Sequence, residues 1–300
     1  MPSNFVVGIW SVDTVRQGPR AWLKKPFDLK AAMLNEALSI FHTVRVTAGN
    51  VPAVPDQVVR AIFVAPEYFF TVAKNNETRD RDYLDVVELR GIQARLMTPA
   101  NVLVVPGTMA YREIDDKAAT LRTAYHAAVQ PIAAHATHVP HLADAARTNF
   151  LHNVAFGYLG GQKVIESRKQ KSATDGPSAG EAFVPGWGSN KATLNVASTG
   201  AARTLSFGIE ICADASSHAG GTGYVDTAVP GTVDIKILVS AVLPNADVYA
   251  GNCTGALIHA CSDPQYSGIS IRGAGVTVAA IPPARQLYNA PMSFYRLSIP

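Results

Sequence analysis

A chain of 300 residues, 48% hydrophobic and 16% charged, has ample apolar material for a packed core. That excludes global disorder and, at about 100–200 residues per domain, suggests one large domain or two small ones. A net charge of +3 is too small to point to nucleic acid or a membrane surface as partner.

Three cysteines cannot build a disulfide framework, and an odd count fits a reducing compartment. No apolar run reaches the ~18–20 residues of a membrane span. The opening MPSNFVVGIW lacks the basic start and long apolar stretch of a signal peptide. A cytoplasmic globular protein is expected.

In chain order, Phe5 to Trp10 reads as a buried strand. A helix follows, with Asp28 as its cap and Leu34, Leu38, Phe41 and Arg45 at helical spacing. Arg60 to Ala65 is a second buried strand, Asp82 to Met97 a second helix and Asn101 to Pro106 a third strand. This alternation predicts an α/β layered fold.

Hairpins then enter. Asn153–Leu159 and Lys163–Ser167 flank Gly160-Gly161, and Thr193–Ala197 and Thr204–Ile211 flank Gly200. Asp234 to Val242 is another buried strand, and Ser267 to Ile281 holds a strand pair or one long strand. The sheets are therefore expected to be mixed. Tyr111 to Arg147 breaks the rhythm; it is rich in Ala and His, with Asp115 to Ala134 helix-compatible. No linker or repeat divides the chain, so a single domain over residues 1–300 is expected.

Three strand ends carry reactive groups. Cys212 closes the apolar run of LSFGIEICADAS, where the carboxyl ends of strands in α/β sheets meet their loops. Glu67 follows the strand of AIFVAPEYFF among aromatics, a setting suited to proton transfer. Lys169 ends VIESRKQKS and could stabilise an oxyanion or a thiolate. Singly, each has a bland explanation: a core cysteine, a surface glutamate, a solvated basic cluster. Lys169 and Lys171 share one face of an extended strand, so periodicity does not choose between them.

Together, in the order Glu, Lys, Cys, the three segments resemble the nitrilase superfamily of carbon–nitrogen hydrolases. FVAPEYFF is similar to the family's glutamate motif. HNVAFGYLGGQKVIESRKQK is similar to its lysine segment, with an Asn opening a hairpin that ends in Arg-Lys. FGIEICADAS resembles Gly-x-x-x-Cys-x-Asp, DIKILVSAVLPNA the strand after the cysteine, and GEAFVPG the Glu…Phe-x-Pro-Gly segment.

The resemblance runs from Phe5 to about Ile281. Its register matches Lys169 to the family lysine and puts Lys171 where a histidine is usual. It implies an α-β-β-α sandwich and a homodimer or larger homo-oligomer. It also implies a small-molecule amide or nitrile substrate, with no cofactor, metal, nucleic acid or membrane partner.

In the implied chemistry Cys212 is the nucleophile and Glu67 the base. Lys169 and the backbone N–H of Ala213 are the oxyanion donors, and Glu181 is the second glutamate that steadies Lys169. Two segments depart from the family: ASSHAGGTGYVD after Asp214, and the insertion at about 111–147, a candidate lid. An acyltransferase, or a binding protein that kept the fold, is the alternative.

Other signals rank lower. His135, His138 and His141 recur every third residue, but Pro140 interrupts them and no acidic or thiol ligand is adjacent. Cys253 and Cys261 lack paired spacing and read as core or helix-face residues. His218 is a weak partner for Cys212. Neither a Walker sequence, a dinucleotide fingerprint nor a Gly-x-Ser-x-Gly elbow is present.

Overall fold

The computed structural model describes residues 2–15, 21–53, 55–73, 81–114, 118–129, 142, 144–169, 180–186, 190–199, 203–215, 233–244 and 253–300. The chain runs β1 (Ser3–Trp10), α1 (Phe27–Thr47), β2 (Ala61–Val64), a short ribbon of β3 (Val72–Ala73) and β4 (Arg81–Asp82), then α2 (Val86–Arg95), β5 (Val102–Val105), β6 (Thr108–Ile114) and α3 (Ala118–Val129). It continues through β7 (Asn149–Leu159), β8 (Gln162–Arg168), β9 (Glu181–Phe183), β10 (Lys191–Val196), β11 (Arg203–Ile211) and β12 (Val233–Ser240). Last come β13 (Cys253–Cys261), β14 (Gly268–Ile271), β15 (Thr277–Ala280), β16 (Arg285–Leu287) and β17 (Ala290–Ile299).

Two mixed sheets carry the fold. Among the described residues the first has the order β15-β17-β1-β2-β5-β7-β6, with β8 and β9 also paired to β7 and β16 to β17. The second runs β10-β11-β12-β13-β14. Each sheet contains a parallel run, β1-β2-β5 and β11-β12-β13, flanked by antiparallel strands.

Alternation along these strands separates two cores. Phe5, Val7, Ile9, Ile62, Val64, Leu103 and Val105 of the first sheet meet Phe207, Ile209, Ile211, Ile235, Ile237, Val239, Ala256 and Ile258 of the second. The opposite face of the first sheet, through Val6, Phe63, Val102 and Val104, takes Leu34, Leu38 and Phe41 of α1 and Leu89 and Ile92 of α2. The α/β class with mixed sheets is therefore as the sequence indicated.

Several local expectations change. Asp28 does not cap α1: Pro26 holds that position, and Asp28, in the first turn, pairs with Arg95. The cap that does form is Asp85 on α2, which exchanges hydrogen bonds with Glu88 in a capping box. Cys253 and Cys261 bound a strand, not a helix face. The stretch from Ser267 to Ile281 is two strands, β14 and β15, in different sheets. Helix α3 occupies part of 115–134. Residues 130–141, with His135, His138 and His141, lie outside the described residues, as do Lys171, Gly200 and His218.

Candidate active site

The site forms where the carboxyl ends of β2 and β11 meet the end of β8. Glu67 sits three residues beyond β2 on a tight elbow. Ala65 N–H donates to Val105 O (2.9 Å), Tyr68 N–H to Thr108 Oγ1 (2.8 Å), and Thr14 Oγ1 to the Glu67 carbonyl (2.7 Å). The hydroxyls of Thr14 and Ser262 meet at 2.5 Å, tying the elbow to the end of β13. The elbow passes so close to Gly107 (φ +79°) that a Cβ there would stand 2.2 Å from the Pro66 carbonyl oxygen. Only glycine fits that position.

Lys169 is the residue after β8, and both of its backbone groups are used. Its N–H donates to Asn153 O (2.8 Å), and its carbonyl accepts from Gly186 N–H (3.0 Å). Gly186 belongs to the FVPG stretch after β9. A side chain at 186 would come within 2.0 Å of the Arg168 carbonyl oxygen, so this contact also depends on glycine.

Cys212 follows β11 and opens a 3-10 turn, with Ala215 N–H donating to its carbonyl (3.0 Å). Its φ of +44° is uncommon for a residue with a Cβ, and such backbone persists only where surrounding structure holds it. Cys212 is half-buried, whereas Cys253 and Cys261 are buried.

The three side chains meet. Lys169 Nζ lies 2.6 Å from Glu67 Oε1, and both side chains are fully buried. Asn153 Nδ2 donates to the same oxygen at 3.1 Å. Glu67 Oε2 has no hydrogen-bond partner among the described residues, and the Cys212 thiol lies close enough to feel the charges of both Glu67 and Lys169. Burial first, then the Glu67 charge, push the Cys212 thiol above its ordinary range. Lys169 and the Ala241 N–H, at the end of β12, pull it back. The resting site is thus a neutral thiol beside a buried ion pair.

Ala213 lies in the turn after Cys212. Glu181, at the start of β9, takes Arg112 as an ion-pair partner at 2.9 Å, and its carbonyl accepts from Arg147. It therefore braces β6 and the segment before β7. Three contributors escaped the sequence reading. Tyr68 accepts from Lys169 Nζ at 3.2 Å. Thr14 holds the elbow, and Ala241 offers its N–H to sulfur. Tyr68 was visible only as an aromatic after Glu67, and the other two had no signal in the sequence.

The chain matches no family model and no curated protein. Among solved structures it is similar to a glutamine-dependent NAD(+) synthetase from Cytophaga hutchinsonii, with 13% identity and a TM-score of 0.39. The match covers 87% of this chain and 36% of that one, so this chain spans about a third of that protein. A likeness at this level carries no weight in the chemistry below. No helix among the described residues is long and apolar enough to cross a membrane.

Proposed function

We propose that this protein is a cysteine-dependent hydrolase of a non-peptide carbon–nitrogen bond, acting on an amide or nitrile through a thioester. The observation that carries the reading is a partly buried cysteine beside a buried carboxylate–ammonium pair at strand ends. The resemblance of the three motifs supports it.

For an amide, Sγ of Cys212 attacks the carbonyl carbon while its proton passes to Glu67, so no free thiolate need accumulate. The carbonyl oxygen becomes negative and is held by the Lys169 ammonium and the Ala213 N–H. The C–N bond then breaks as Glu67 returns the proton to nitrogen, and ammonia or an amine leaves. Glu67 next takes a proton from water, whose oxygen attacks the thioester. The acid departs, and the sulfur recovers its proton.

Asn153 steadies the carboxylate throughout. Glu181 acts at a distance, by bracing β9 and hence the FVPG contact on Lys169. The reading takes the chain as a single domain with an insertion at about 111–147, working in the cytoplasm as a homo-oligomer without a cofactor.

A panel of amides, nitriles and ureido compounds tests it, read by ammonia release and by intact mass of a trapped Cys212 adduct. Turnover with an adduct that Cys212→Ala abolishes is expected. Neither ammonia nor adduct across the panel overturns the reading. Added amines or hydroxylamine that divert the acyl group into new products would favour acyl transfer.

A further inference from the structure

We infer that Tyr68 is a positioning residue that orients the Lys169 ammonium within the site through its hydroxyl, an inference that rests on reading Glu67, Lys169 and Cys212 as the reacting set. A lysine ammonium is a point charge on a flexible four-carbon stem. The contact to Glu67 Oε1 fixes its distance from the carboxylate, while its direction is set by the other groups that take its protons. A second fixed acceptor narrows that direction, and the Tyr68 hydroxyl supplies one at 3.2 Å.

The contact is to the hydroxyl and not to the ring face. Nζ lies 5.2 Å from the ring centroid but only 3.2 Å from the oxygen, which places it beyond the phenol's polar end. A lone pair of the hydroxyl therefore takes one of the three ammonium protons.

Tyr68 is itself held rigidly. It is 1% exposed and has a φ of +57°. Its N–H is bound by Thr108, and its carbonyl accepts from both Thr71 Oγ1 (2.8 Å) and Thr71 N–H (3.3 Å). A side chain anchored by an uncommon backbone conformation next to the proposed base is the kind of local strain found at functional sites. Because Lys169 eases ionisation of Cys212, the angle that Tyr68 sets reaches the nucleophile.

The test needs no substrate. The iodoacetamide alkylation rate of Cys212 is measured against pH in the full chain, with peptide mapping to separate it from Cys253 and Cys261. Lys169→Met displaces the profile to higher pH. Tyr68→Phe, which keeps the ring, displaces it in the same direction by less, with the rate at pH 7 falling about tenfold, as for loss of a hydrogen bond to a charged group.

A Tyr68→Phe profile that is unchanged or moved to lower pH, while Lys169→Met shifts upward, overturns this inference and leaves the hydrolase reading standing. A lower melting temperature with an unchanged profile also overturns it, since that is the mark of a structural role alone. If Lys169→Met leaves the profile in place, the role given to Lys169 fails and takes the inference with it. Ammonia release from the panel separately decides the hydrolase reading.

Discussion

Among the described residues, two lysine–glutamate pairs are completely buried. Lys169–Glu67, at 2.6 Å, joins two strand ends; Lys236–Glu210, at 2.9 Å, joins neighbouring strands β12 and β11 in mid-sheet. Glu210 is two residues from Cys212, yet it stands between Ile209 and Ile211, which face the inter-sheet core, so its own side chain points the other way. Lys236 lies between Ile235 and Ile237 in the same manner. Both pairs oppose the desolvation of charge with a close partner. The first stands beside a partly buried cysteine and takes an Asn donor and a Tyr hydroxyl. Burial of an ion pair thus does not mark chemistry; a third reactive group with access does.

Mutation separates the two pairs. The largest expected effect is complete: Cys212→Ala eliminates turnover and the covalent adduct, read by ammonia release and intact mass. Next, Lys169→Met lowers kcat per folded molecule by about 10²–10³-fold, the loss typical of one oxyanion donor, and also lowers stability in urea because Glu67 is left as a lone buried carboxylate. Lys236→Met should carry the stability cost alone. Breaking a buried pair leaves a lone charge and costs about 3–5 kcal/mol of stability, while kcat per folded molecule stays near the parent value. Should that variant fail to fold, Lys236→Met with Glu210→Leu removes both charges and is expected to regain most of the loss. A large kcat defect in the refolded double variant would erase the distinction drawn here.

The sequence made the site more legible than the sheets around it. Glu67 and Cys212 follow apolar runs, and the Gly160-Gly161 turn marks the hairpin whose second strand leads to Lys169, so these strand ends could be located from composition and turn signals. β13 could not. Its sequence CTGALIHAC has few β-branched residues, and its extended form is imposed by pairing with β12 on one side and β14 on the other. β17, APMSFYRLSI, alternates buried and half-buried residues but was not anticipated; β1, at the other end of the chain, supplies its long-range partner. The partners of Glu181 and Tyr68 were hidden for the same reason, because they depend on which strands lie side by side.

Smaller effects refine the picture. Asn153→Ala removes one of the donors to Glu67 and should lower kcat by about tenfold while leaving the alkylation of Cys212 possible. The smallest effect concerns acid stability. Glu113, hydrogen-bonded to His152 and Tyr125, is held down to about 2, and burial lowers His152 below its ordinary value. Glu113 stabilises the fold above its unfolded value near 4.3 and loses that contribution as pH falls toward about 2. His152 resists protonation in the fold, so its contribution shrinks as pH falls below about 6.5. Both act in the same sense, and urea unfolding should show stability declining as pH falls below 6.5. Glu113→Gln with His152→Gln should flatten that decline.

The twin backbone grips on Lys169, from Asn153 on one side and Gly186 on the other, have an architectural consequence. The lysine is moored by the strand before it and by a glycine seventeen positions later, so its place does not depend on the length of chain paid out in between. A change of length between residues 169 and 180 is then absorbed between two fixed moorings, while the ammonium stays where it is.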